Sequence, residues 1–167
     1  MTNAGEWREV ERQLADAVNY WVCTVRADLR PHAAPVWGVW WRGTLAFSSV
    51  GVSVKVRNLR RDDRVTAHLE SASDVVILDG HAVEITERDA LVEIGESFTA
   101  KYGASTGGAY DLVAAHRMGM AVCAVRPTVV RSWRAGAALA SSRWTFDDDG
   151  GVLLSRSSVA AEADAAG

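Results

Sequence analysis

YWVCTV (Tyr20–Val25), HAAPVWGVWW (His32–Trp41) and TLAFSS (Thr44–Ser49) are the runs whose reading decides the fold. Each is rich in β-branched and aromatic residues, and turn-forming segments separate them: Asp28 to Pro31 first, then Arg42-Gly43. This spacing predicts three strands in meander order, the second and third joined by a tight turn. Pro35 cannot donate to a β-ladder, which places the second strand at an edge or a bulge. Along it Trp37 and Trp41 share a face with Pro35 and Val39, and Trp40 lies opposite with Val36 and Gly38, so both faces expect cover.

Upstream, Trp7, Val10, Leu14 and Val18 recur at helical spacing with charged residues between them, an amphipathic helix. Downstream the period changes. Val52, Val56 and Leu59 can share one face of a short helix between Val50 and Asp63, with Ser53 as its cap. Arg64 to Glu70 and Asp74 to Glu87 read as a second hairpin. Thr86 and Asp89 resemble a capping box for a helix marked by Leu91, Ile94, Phe98 and Tyr102 and ending near Gly103. A helical turn at Tyr110 to Arg117 leads to strands at Met120 to Arg126 and Thr128 to Arg134, separated by Pro127, and a last strand at Arg143 to Phe146. Many short strands with few helices point to an antiparallel barrel, since closure removes exposed edges. One domain is expected over residues 1–150, with 151–167 a loosely held tail.

Composition excludes several classes. The 167 residues carry 18 basic and 21 acidic side chains, a net charge of -3 that argues against a general nucleic-acid binder. No apolar run approaches the roughly 20 residues of a membrane-spanning helix, and the N-terminus lacks a secretory pattern, so the expected compartment is the cytoplasm. Cys23 and Cys123 stand alone in apolar stretches and read as buried thiols. His32, His68, His81 and His116 lack the spacing of a metal site, and the run Asp147 to Asp149 lacks that of a calcium loop. No nucleophile elbow or dinucleotide fingerprint is present.

The candidate chemistry lies in Ser48-Ser49, a loop through Gly51, and Ser53-Val54-Lys55-Val56-Arg57-Asn58-Leu59. A helix start offers unpaired N–H groups and a positive dipole end. Hydroxyls, a Lys and an Arg beside it make a phosphate cradle. A solvated basic helix that merely closes a loop is the competing reading, and on the residues alone it is the commoner one. Lys55 and Lys101 are the only lysines among the basic residues, so a placed lysine here stands out.

Arg30-Pro31-His32-Ala33-Ala34-Pro35-Val36-Trp37, Leu45-Ala46-Phe47-Ser48-Ser49, and Ser53-x-Lys55-x-Arg57-Asn58-Leu59 with Asp63-Arg64-Val65 together resemble the pyridoxamine-phosphate-oxidase-like superfamily. The similarity runs from about Asn19 to Phe146 and is strongest to the branch of flavin- and deazaflavin-dependent (coenzyme F420) oxidoreductases. The resemblance implies a split β-barrel, mainly β with peripheral helices, acting as a homodimer with the cofactor at the subunit interface. It implies that Ser48, Ser49, Ser53 and Lys55 bind the cofactor phosphate with Arg57 and Asn58 nearby. Pro35, Val36 and Trp37 then lie against the ring, and Trp133 and Arg143 come from the second subunit. Val54 stands where true pyridoxamine-phosphate oxidases have Arg, and small and apolar residues at Leu139 to Ser142 replace their substrate motif, so pyridoxamine phosphate is not the expected substrate. The implied cofactor is coenzyme F420, with FMN as the alternative. The implied activity is hydride transfer to or from a small organic acceptor, with no assigned acid or base and no metal. A non-catalytic flavin or deazaflavin carrier is the rival reading.

Overall fold

The computed structural model describes residues 3–135, 141–147 and 151–158. Along the chain these form α1 (Asn3–Asp16), β1 (Tyr20–Val25), β2 (Pro31–Val36), β3 (Gly38–Trp41), β4 (Thr44–Val50), α2 (Val54–Arg61), β5 (Arg64–His68) and β6 (Asp74–Glu84). Then come α3 (Arg88–Thr106), α4 (Leu112–Arg117), β7 (Met120–Arg134), β8 (Ser141–Phe146) and β9 (Val152–Ser158). The strands make one antiparallel sheet with the path β2-β1-β5-β6-β7-β4-β3; β8 adds to β7, and β9 to β8.

One residue forces the shape of this sheet. β2 and β3 end the path on opposite sides, yet only Trp37 separates them in the chain. Laid flat, six strand spacings of about 4.8 Å would hold those edges ~29 Å apart, so the sheet must curl until they meet. The result is a split barrel, mainly β with peripheral helices. The split lies along β7, which pairs with β4 up to Val125 and with β8 from Val129 onward.

The expected single strand from His32 to Trp41 is therefore two strands on opposite edges. Pro35 sits on edge strand β2, where its missing N–H costs no ladder bond to a second neighbour. Arg42 and Gly43 both have positive φ (48° and 73°), the backbone of the tight turn expected between β3 and β4. At Pro127 the expected break is absent and β7 runs through. Asp79 faces Val129 while Gly80 faces Pro127, so Thr128 is the extra residue of a bulge that absorbs the proline. Helix α3 passes Gly103 and stops at Gly107, which takes the left-handed C-cap conformation (φ 75°). Glu87 occupies the N-cap position of α3 without a side-chain cap bond, so the Thr86–Asp89 box does not form. Val152–Ser158, expected in the loose tail, are a strand in register on β8. Leu139, Ala140, Asp148 to Gly150 and the tail from 159 lie outside the described residues.

Apolar side chains cover both faces of the sheet. Inside the barrel, Tyr20, Val22, Leu45, Phe47, Val65, Leu78 and Trp144 pack with Val10 and Leu14 of α1 and Val56 and Leu59 of α2. Val18, read as the fourth position of α1, follows the helix and is exposed. On the outside, Val39, Ala46, Val122 and Ala124 pack against Ile94, Phe98 and Tyr102 of α3 and Leu112 of α4. No helix among the described residues is long and apolar enough to cross a membrane.

Candidate functional site

Strand β4 delivers the two serines, and strand geometry separates them. Successive side chains point to opposite faces. Ser49 follows Leu45 and Phe47 toward the barrel interior, and Ser48 follows Ala46 toward the α3 side. Of the expected hydroxyl pair, the pleat turns Ser49 toward the start of α2 and Ser48 away from it. Ser49 Oγ lies 3.2 Å from Ser53 Oγ. The Ser48 Oγ is buried on the other face with no hydrogen-bond partner among the described residues.

Ser53 has the backbone of an N-cap (φ -64°, ψ 155°), but its side chain makes no cap bond. Its hydroxyl is turned to Ser49, so no cap side chain occupies the first-turn N–H groups of α2. Lys55, half-buried, stands in that same turn, and Arg57 is exposed one step on. Neither has a carboxylate within ion-pair distance among the described residues. Burial lowers the His32 imidazole pKa, and the charges of Arg26 and Lys55 lower it further, so a cluster of positive groups faces this end of β2. Asn58 is buried and donates to Thr24 Oγ1 at 2.9 Å, which seats α2 on β1.

The residues expected against the ring, Pro35, Val36 and Trp37, divide as well. Val36 is buried opposite Tyr20, Pro35 is exposed, and Trp37 is 47% exposed with its ring stacked on Tyr102 at 5.1 Å and 9°. Trp133 and Arg143 are far from the cradle in the same chain. Ser49 pairs with Ala121, and Trp133 lies twelve residues farther along β7, about 40 Å of strand. Trp133 and Arg143 instead share the outer face of β1, β5, β6, β7 and β8 with Trp21, Ile77 and Val129. No helix packs on that face among the described residues. At its centre Arg131 Nη1 meets Asp79 Oδ2 at 2.6 Å, and Thr66 Oγ1 donates to Asp79 Oδ1 at 2.7 Å. A separate groove of about 520 Å³ between α3 and α4, lined by Leu91, Val92, Tyr110 and Val113, shares no residue with the cradle.

Sequence reasoning missed the group that fixes the β2–β3 crossover. The Tyr102 hydroxyl accepts from Gly38 N–H (3.1 Å) and lies 2.7 Å from Gly38 O, and Lys101 Nζ donates to Gly38 O (2.9 Å) and to Tyr20 Oη (3.0 Å). Tyr20 in turn donates to Leu14 O. The rarity of lysine in the chain was the one available signal. Burial pushes the Lys101 ammonium down to about 8. Between that value and the ordinary lysine range the unfolded chain binds the extra proton, so Lys101 makes stability rise with pH across this window. Partial exposure keeps the effect modest. The melting temperature of the wild type relative to that of Lys101→Met is expected to climb from about pH 8 to about pH 10.5. Parallel curves for the two proteins show that the ammonium is not desolvated.

The family model described as pyridoxamine 5'-phosphate oxidase matches residues 7–134. A pyridoxamine 5'-phosphate oxidase-related, FMN-binding protein from Nostoc punctiforme PCC 73102 is similar in structure at 12% identity, over 93% of this chain and 94% of that one, with a TM-score of 0.60. A structure described as an F420 reductase is similar at 20% identity, over 72% and 94%, with a TM-score of 0.53. A heme-binding protein from Mycobacterium smegmatis is similar at 18% identity, over 89% of this chain and 55% of that one, with a TM-score of 0.52. At these identities the likeness is one of fold. No curated protein sequence matches the chain.

Proposed function

We propose that this chain, which belongs to the pyridoxamine 5'-phosphate oxidase family, is an oxidoreductase that holds a phosphate-bearing flavin-type cofactor between two subunits. The cofactor is coenzyme F420 ahead of FMN, and the partner substrate is a small organic acceptor. The observation that carries this reading is the start of α2: open first-turn N–H groups, two facing hydroxyls and a half-buried Lys55 with no ion-pair partner among the described residues, all at one point. A solvated basic helix needs none of these arrangements, whereas an anion uses all of them.

The residues present fit such a group. Ser49, Ser53, Lys55 and the first-turn N–H groups hold the phosphate, with Arg57 adding positive field. Pro35 and Trp37 border the ring along the β2 edge, with Val36 filling the barrel behind them. The bound cofactor supplies the hydride; the chain supplies binding, orientation and exclusion of water. The preference for F420 rests on Val54 and the Lys-x-Arg-Asn-Leu segment, where the chain departs from the oxidases that use pyridoxamine phosphate. The second subunit is needed because Trp133 and Arg143 cannot reach their own cradle. The outer sheet face that carries them presents Trp21, Ile77, Val129 and Trp133 around one ion pair, the composition of an interface.

Light scattering combined with fluorescence titration of F420, FMN and heme tests the proposal. The expected result is a dimer that binds F420 most tightly and whose reduced cofactor is oxidised faster when conjugated electrophiles are added. Tighter FMN binding reverses the order of cofactors. A monomer at micromolar concentration removes the two-subunit site, and preferential heme binding removes the flavin reading.

A further inference from the structure

Arg60 leaves the last turn of α2, two helical turns after Ser53, and therefore lies along the same helix face. Its guanidinium divides its donors between two jobs. Nε and Nη2 form a bidentate pair with Glu84 on β6, both at 2.8 Å, and Nη1 donates to the Gly51 carbonyl at 2.9 Å. Gly51 lies in the loop from β4 to α2 and is gripped from its other side too, where its N–H donates to Gly119 O at 2.9 Å. A Cβ on Gly51 would meet that same oxygen at 2.6 Å, so only glycine permits this approach. Ser53 N–H closes the loop onto Val50 O at 2.9 Å. The short connection that sets Ser49 against Ser53 is thus fixed at both of its middle peptide groups.

Resting on the cofactor reading above, we propose that Arg60, held by Glu84, is a positioning residue for the phosphate end of the cofactor. Its guanidinium faces Glu84 and the Gly51 carbonyl, and it sets the spacing of Ser49, Ser53 and the first-turn N–H groups through the loop. Phosphate binding then depends on a group that the phosphate does not touch. A planar fork is suited to this, because one guanidinium can serve a carboxylate and a carbonyl at once in fixed geometry.

The test compares F420 and FMN with their own rings lacking phosphate, the deazaflavin riboside and riboflavin, on the wild type, Arg60→Gln and Glu84→Gln, with the fold of each variant monitored by circular dichroism. Arg60→Gln is expected to weaken binding of the phosphorylated cofactor about 3- to 10-fold and leave binding of the phosphate-free ring unchanged. Glu84→Gln keeps Arg60 and one of its contacts, so it is expected to fold and to show a smaller loss in the same direction. Equal losses for both ligands, or no loss in either variant, overturn the inference and leave the cradle standing. A wild type that binds the phosphate-free ring as tightly as the cofactor overturns the cradle itself, and Arg60's role with it.

Discussion

Replacing Lys55 with alanine is expected to weaken cofactor binding by about 10- to 100-fold while the melting temperature of the cofactor-free protein barely moves. A charge-assisted hydrogen bond to phosphate contributes about 1.5–3 kcal/mol, which is that range of affinity. The structure sharpens the second half of the prediction. Lys55 has no carboxylate to lose among the described residues, and the charged groups that share its influence on His32 are of its own sign. Removing it therefore takes no attraction from the folded apo-protein and relieves some repulsion. The change in apo stability should stay within about 0.5 kcal/mol, the usual range for a surface substitution. Titrations and melts on this one variant separate the readings. Unchanged affinity removes the phosphate role, and a large drop in apo stability makes Lys55 a structural residue.

The largest effect on stability is expected at Gly80→Ala. The added Cβ would lie 2.0 Å from Arg126 O, 2.8 Å from Arg126 C and 2.9 Å from Pro127 Cα. All three are backbone atoms of the neighbouring strand and cannot rotate away. β6 can yield only by moving off β7 at the bulge, and this is the most extensive strand pair of the sheet, running from Asp74–Arg134 to Glu84–Cys123. Overpacking against movable side chains costs about 1–3 kcal/mol, so a clash with backbone should cost about 3 kcal/mol or more. For a chain of this size that is a fall in melting temperature of roughly 6–12 °C. Gly108→Ala is the control, since nothing lies within 4 Å of a Cβ there. If the two variants melt alike, the close approach at the bulge is not what holds β6 to β7.

What the sequence determined by itself was the set of elements that a sustained local period decides. Alternation over Tyr20–Val25 and Thr44–Ser49 specifies strands, the helical spacing of Leu91, Ile94, Phe98 and Tyr102 specifies α3, and Pro35 limits its strand to an edge or a bulge, of which the fold takes the edge. Ser53, Lys55 and the glycine between them and Ser49 marked the candidate cradle, because a loop running into a helix start is itself a local feature.

Only the tertiary structure decided what depends on which segments pair. His32–Trp41 divides at Trp37 because closing the barrel sends its two halves to opposite edges, and no local property of the run carries that information. Pro127 sits inside a strand because Gly80 on the partner makes room for a bulge. Asn58 faces Thr24, Lys101 faces Gly38 and Arg60 faces Gly51 across 34, 63 and 9 residues of chain respectively. Side chains of ordinary composition acquire these roles through contacts that the folded chain brings together.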